Sequence, residues 1–211
     1  MDAQNFTNLL VVGSVSLLAA ISPGPDFLIV VRNNLVYSRR SGYFTALGVS
    51  LALIVHLFYT LVGIGVLIAE SPLIYNLIKY AGILYLFYLG FTSIYSSLKK
   101  TEEMNLKYSK SQEDLPPLKA IQQGFLTNLL NPKCALFFIS LFSQFISPET
   151  PWTHRIEYAV VNWSVTLLWF CFLSYIITGK FLASRMDRFR NSIDRIMGAL
   201  LMLLSARMLF A

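Results

Sequence analysis

Charge is scarce in this chain. Only 13% of its 211 residues are Asp, Glu, Lys or Arg, where a soluble domain carries about a quarter. The shortage runs through the chain in long apolar blocks, which leaves no stretch for a separate soluble domain and predicts a polytopic membrane protein. Histidine is also rare, with His56 and His154 alone. No pair of acids falls inside an apolar block, so a membrane enzyme has neither a metal triad nor paired carboxylates to work with. Neither a metal nor a cofactor is implied. Cys134 and Cys171 lie far apart in apolar blocks, without metal or redox spacing. That reads as two inert thiols and speaks against a thiol-electron carrier. Residues 1–6 lack the basic start of a signal peptide, so the first apolar block is expected to be a retained span.

The formal net charge of +6 would suggest a nucleic-acid partner in a soluble protein. In a membrane protein it points instead to basic cytoplasmic loops, and no nucleic acid is expected. A helix needs about 20 apolar residues to cross the hydrocarbon core. Six blocks qualify, at about 6–31, 43–68, 73–98, 120–146, 157–179 and 193–210, the last being short. Basic residues follow alternate spans: Arg32, Arg39 and Arg40 after the first, Lys99, Lys100, Lys107, Lys110 and Lys119 after the third, and Lys180, Arg185, Arg188, Arg190 and Arg195 after the fifth. The positive-inside rule then places both termini outside the cytoplasm. In the last basic stretch, Leu182, Met186, Phe189 and Ile193 recur at helical spacing. The stretch reads either as a helix in the headgroup region or as a basic loop extending its neighbours.

Three spans (residues 1–98) precede a cytoplasmic linker at 99–119 and three follow it (120–211). An odd number per half makes the halves enter the membrane from opposite sides, the topology of a 3+3 inverted repeat. "KYAGILYLFYLGF" from Lys79 and "RIMGALLMLLSAR" from Arg195 align Gly82 with Gly198 and Gly90 with Ala206. A closer correspondence joins the first and fourth spans. Ser22-Pro23 and Asn131-Pro132 each read as an N-cap followed by the first helical residue. Both spans are therefore expected to be broken, with a helix N-terminus, an anion site, inside the membrane. The fold class is all-α, with six transmembrane helices, of which the first and fourth are broken. Small residues at Gly42-x3-Ala46 and Gly63-x-Gly65 allow close helix packing, within the bundle or at a homo-oligomer face.

Charge inside a span costs about 2.5–3.5 kcal/mol on insertion scales, so it calls for a partner or a task. Asp26 follows the first break and Lys133 the second, and the two are candidates for an ion pair; Asp26 could alternatively do no more than satisfy backbone near a kink. His56 is the one side chain of the second span whose ordinary pKa lies near neutral pH, placed either to relay protons or to bond a neighbouring helix. Asn128 and Gln144 are amides for a substrate or for a helix neighbour.

The stretches "SPGPDFLIVV", "GYFTALGVSLALIVH", "KYAGILYLFYLGF" and "GFLTNLLNPKCALFF…SQF" resemble the lysine exporter family of amino-acid efflux proteins, and most resemble its homoserine/threonine efflux branch. The resemblance covers nearly the whole chain, strongly over spans one to four and thinly over the last two. It implies a bacterial inner-membrane exporter of amino acids driven by proton entry. Its first motif falls on Pro23, Gly24 and Pro25 and its second on Asn131, Pro132 and Lys133. Basic-amino-acid exporters of the family have a Gln-Asn pair where this chain has Asp26 and Phe27, as in the branch for neutral substrates. Some relatives place an acid in the fifth span, and this chain has none between Val165 and Leu173.

Together these readings predict an alternating-access antiporter with its site between the first and fourth spans. Asp26 would take the substrate ammonium, and the half-helix beginning at Pro132, with Lys133, the carboxylate. Pro23, Gly24, Pro25, Asn128 and Asn131 complete the candidate site, and Asp26 or His56 would carry the proton. A channel or a non-transporting scaffold are the alternatives. The expected partners are a small amino acid, the proton and the lipid bilayer.

Overall fold

Four of the eight described helices begin on a proline. Proline has no N–H to leave unsatisfied in a first helical turn, and its ring presets the helical φ. The computed structural model describes residues 3–98, 111, 113–177 and 180–209. Its helices are α1 (Ala3–Ile21), α2 (Pro25–Val36), α3 (Arg39–Glu70), α4 (Pro72–Leu98), α5 (Pro117–Leu129), α6 (Pro132–Phe145), α7 (Trp152–Ile176) and α8 (Lys180–Leu209).

Helices α1, α4 and α7, and α3 from Arg39 to Val66, are each long and apolar enough to cross a membrane. Helices α5 and α6 pass the same test as a pair bent by 60°, which makes up to five spans. Helix α8 does not pass: its first half is basic, and Asp194, Arg195 and Arg207 interrupt its apolar stretch. The outer surface agrees with a lipid setting, since Phe58 and Leu84 are 68% and 69% exposed. The protein is therefore all-α and membrane-spanning. Residues 180–195 are helical and continuous with the second half of α8, but the side chains of Leu182, Met186, Phe189 and Ile193 lie outside the described ones. Of the expected linker, residues 99–110 and 112 lie outside the described residues as well.

The helices pack chiefly as α3 on α5, α4 on α8 and α1 on α7. Glycine sets the closest approaches. A Cβ on Gly48 would stand 2.0 Å from the carbonyl oxygen of Ile121, and one on Gly124 2.1 Å from that of Thr45. The backbones of α3 and α5 thus touch where a side chain would hold them apart. Gly90 and Gly198 meet in the same way across α4 and α8. Gly82 instead faces Ser140 of α6, so the two glycines matched by sequence offset, Gly82 and Gly198, pack against different partners. Gly63 has open space beside it and makes no close contact.

Gln4, Lys79, Thr150 and Arg207 line one vestibule, so the start of α1 and the end of α8 share a face of the bundle. On that face Arg155, buried against Trp152, donates to the carbonyls of Thr150 and Ser147 and ties down the α6–α7 loop. At the α2–α3 turn, Asp114 accepts from Ser38, Ser41 and the Leu115 N–H. Those bonds, Ser41's foremost, hold its carboxyl below the ordinary carboxylate range. The clasp is therefore complete at neutral pH and is lost only as acid protonates Asp114.

Gly48→Ala or Gly124→Ala is expected to destabilise the protein by about 1–3 kcal/mol, because backbone atoms block the new methyl. Gly63→Ala should be neutral or gain about 0.5–1 kcal/mol from the helix interior. Denaturation in mild detergent, followed by circular dichroism, separates the two classes.

Candidate functional site

The two breaks meet at one cavity. In the first, Ser22 N–H still bonds Leu18 O, closing α1. Pro23 and Pro25 then withhold their donors and push the residues before them out of the helical region. Gly24 is extended, at φ −147° and ψ −176°, and is the N-cap, with Pro25 as the first helical residue. The N-cap and first helical residue expected at Ser22-Pro23 therefore lie two positions later: the second proline prolongs the break, and α2 can start only at Pro25. Ser22 instead turns its hydroxyl toward Asp194 of α8, at 3.5 Å.

The second break follows the sequence pattern. Asn131, extended because a proline follows, caps α6 by accepting the Lys133 N–H on its side-chain oxygen at 3.1 Å. Its carbonyl also takes the Cys134 and Ala135 N–H groups. The N–H groups of this helix end are thus already occupied, whereas α2 starts without a side-chain cap.

Pro132 has a further effect. A continuous helix would bond the Asn128 carbonyl to the N–H of residue 132, which proline lacks. His56 Nε2 takes that place at 3.1 Å, from a ring only 1% exposed. Asn131 N–H reaches the same carbonyl at 3.0 Å. Because a carbonyl only accepts, Nε2 carries the hydrogen, and Nδ1 is then free to accept from the Tyr59 hydroxyl. The side chain of Asn128 turns the other way. Its Nδ2 donates to Asp26 Oδ2 at 3.0 Å, and Cys134 Sγ–H donates to the same oxygen at 3.2 Å. Asn128 thereby joins α2, α3 and the α5–α6 break through one residue. A hydrogen bond to a charged group contributes about 1.5–3 kcal/mol.

Asp26, Asn128, Asn131 and Lys133 all line a cavity of about 70 Å³, as do Gly24 and Pro25. Pro23 and Pro132 stand at the breaks without lining it. The expected Asp26–Lys133 ion pair does not form: Asp26 takes its bonds from Asn128 and Cys134, and Lys133 is exposed at the rim. The two residues hold the same place, second in α2 and in α6, and each helix carries its own away from the other. Gln144 donates to the Lys79 carbonyl at 2.9 Å and so joins α6 to α4. Most of the remaining cavity wall is apolar, with Leu53, Phe137, Phe138 and Phe170 among its residues, and Ser16, Ser22, Asn162 and Thr166 add polar groups to it.

Four residues that sequence reasoning passed over belong here. Asn162 and Thr166 of α7 line the cavity, although their span reads as apolar and aromatic. Cys134, expected to be inert, is a donor to Asp26. Asp194, read as part of a basic stretch, is buried at 5% exposure beside the first break. No period or motif marks them; the one available signal was a polar residue in a span with no assigned partner. Among the described residues no cluster of three His, Cys, Asp or Glu could hold a metal.

A vestibule of about 620 Å³ opens on the face that holds the start of α1 and the end of α8. Along α1 and α6 its lining is separated from the cavity by Val12, Val15, Leu141 and Phe142, all in the buried core.

A carboxylate at two helix breaks, beside a cavity within an apolar bundle, is the build of a membrane solute transporter. Residues 17–211 match the LysE type translocator family, and the chain belongs to it. It is accordingly a multi-pass bacterial inner-membrane protein and a secondary transporter that exports amino acids, in a family that transports rather than catalyses. The leucine efflux proteins of Salmonella typhimurium (strain LT2) and Salmonella typhi are each 30% identical over 163 residues, covering 77% of this chain and 74% of theirs. That of Klebsiella pneumoniae is 27% identical over 191 residues, 90% of this chain and 86% of its own. These relatives overturn the resemblance to the homoserine/threonine branch. The stretches that carried it form the helix breaks and the close crossings that brace the bundle. No solved structure matches the chain.

If Asn128 bonds Asp26 as described, Asp26→Asn and Asn128→Ala should be non-additive in stability by about 0.5–3 kcal/mol. Asp26→Asn with Lys133→Ala should couple more weakly. Double-mutant cycles on the detergent-solubilised protein read both.

Proposed function

We propose that this protein exports leucine or a similar neutral, branched-chain amino acid in exchange for protons. The observation that carries the reading is the cavity itself: one carboxylate, a cation at the rim and mostly apolar walls, at two broken helices. A zwitterion with an aliphatic side chain needs those three surfaces. The leucine efflux relatives support the same substrate class.

Asp26 holds the ammonium group. Because the N–H groups of α6 are taken by Asn131, the carboxylate is held by Lys133 and the positive end of the α6 dipole, without direct bonds to the helix end. The cavity of about 70 Å³ is roughly half the size of an engineered one that admits benzene, about 150 Å³. This conformation is thus too tight for an amino acid, and loading it requires the half-helices to move. The apolar layer of Val12, Val15, Leu141 and Phe142 closes the path to the vestibule.

Protons couple to export by competing for the same group. A proton on Asp26 removes the charge that holds the ammonium, and His56, bonded to Asn128, feels the same change through that residue. Release therefore follows proton entry from the vestibule side. Six spans in two inverted halves suit this cycle. The pairing of α3 with α5 and of α1 with α7, with α4 against α8, is what a two-fold exchange of the halves would give. The first span is then α1 with α2, the fourth α5 with α6, and the sixth the apolar part of α8. The basic residues that follow alternate spans support an orientation in which the vestibule, with the start of α1 and the end of α8, faces away from the cytoplasm.

Cells preloaded with a leucine-releasing dipeptide should lose leucine faster when they express the protein, and an uncoupler should abolish the gain. Asp26→Asn is expected to cut proton-coupled efflux at least about tenfold, the loss of one charged contact, at normal expression. Wild-type flux in that variant would remove the carboxylate from the mechanism. No gain for leucine or its neighbours, in a well-expressed protein, would remove the substrate class.

A further inference from the structure

Beyond Asp26, the cavity carries two more oxygens without partners. Asp26 Oδ1, Asn128 Oδ1 and Asn162 Oδ1 are buried and accept no hydrogen bond, and all three residues line the one cavity. Asn162 is 0% and Asn128 2% exposed, so bulk water does not satisfy them.

The neighbours decide which way each amide points. Ser16 donates its hydroxyl hydrogen to the Val12 carbonyl at 2.6 Å, so its oxygen is left to accept from Asn162 Nδ2, also at 2.6 Å. Turning the Asn162 amide over would set its oxygen against a hydroxyl whose hydrogen is already committed. Turning Asn128 over would set its oxygen against the Asp26 carboxylate. Both amides are thus held with the oxygen unpaired. Three acceptors, one of them charged, need a ligand group with three donors and a positive charge.

We propose that Asn162, with Asn128 and Asp26, forms a three-acceptor cradle for the α-ammonium group of the exported amino acid, and that Ser16 is the positioning residue for Asn162. The proposal rests on the export reading above and adds to it that α7 contributes a substrate contact. Each acceptor comes from a different helix, α2, α5 and α7, so loading the ammonium draws all three together. The cradle reads the number of N–H donors on the ligand. Primary amines are accepted, N-methylated ones bind more weakly, and acids that lack the amino group do not bind.

The test is ligand binding to the purified full-length protein in nanodiscs, by calorimetry. The panel is leucine and other neutral amino acids, N-methylleucine, N,N-dimethylleucine, leucinamide and 4-methylpentanoate. For the wild type, affinity should fall with each added methyl, leucinamide should still bind, and 4-methylpentanoate should not. Asn162→Ala should weaken leucine about tenfold, one charged hydrogen bond, and largely erase the penalty of the first methyl. Ser16→Ala, which frees the amide to rotate, should do the same more mildly; it carries the test if Asn162→Ala does not fold. An unchanged ratio of leucine to N-methylleucine in the folded variants overturns the cradle. So does a sodium requirement whose midpoint, rather than the leucine affinity, shifts in Asn162→Ala, because the oxygens would then serve a metal cation. If leucine fails to bind but another neutral amino acid does, the leucine reading falls, and the cradle is judged on that amino acid and its N-methyl derivative. A folded wild type that binds no ammonium-bearing member of the panel overturns the cradle.

Discussion

The missing N–H of Pro132 is the constraint on which the site depends. It removes the i+4 donor of the Asn128 carbonyl, so that within the backbone only the Asn131 N–H reaches this carbonyl and its second lone pair is open in an apolar bundle, where polar groups are costly to leave unpaired. His56 supplies a donor from another helix. That substitution fixes Asn128 at the break, and its side chain is then in place to hold Asp26. A defect in one helix thereby becomes a junction among α2, α3 and the α5–α6 pair. The close crossing of α3 and α5 at Gly48 and Gly124 is what brings His56 within reach, since both helices must lie nearly in contact for an imidazole to span the gap.

A carboxylate in this setting is expensive, and two neutral donors are a modest compensation for it. That imbalance suits a carrier better than a scaffold. A fully paired Asp26 would stabilise one state and bind nothing further, whereas an Asp26 with one open oxygen is satisfied by a cation that arrives and leaves. The absence of an ion pair with Lys133 belongs to the same logic, because a closed internal pair would compete with a zwitterion for both of its ends. The tight cavity adds that occupancy and shape change together, the condition for exchanging access between two faces.

Much of this frame was legible in residues 120–146. Asn131-Pro132 announces a cap and a first helical residue, and the break stands where that pair predicts. Ser22-Pro23 misled because a second proline two residues on overrides the first; a pattern that ends at the earliest proline cannot see this. The polar residues of α7 were hidden for another reason. Asn162 and Thr166 sit in a span whose average is apolar, and only the pairing of α1 with α7 turns Asn162 toward Ser16 and the cavity. Asp194 was masked by the arginines around it in the sequence. The substrate branch was least legible of all, since it depends on which residues face the cavity, and only the packed bundle shows which members of the recognisable stretches do so.

The most direct test of the junction is the protonation pattern of His56, by nitrogen-15 NMR of histidine-labelled protein in nanodiscs, with His154→Gln removing the other imidazole. The donor that replaces the missing Pro132 N–H must be Nε2–H. The neutral ring should therefore carry its hydrogen on Nε2, with Nδ1 unprotonated and accepting from Tyr59. A neutral ring protonated on Nδ1 would leave the Asn128 carbonyl without the donor described here, and the account of how the break builds the site would fail.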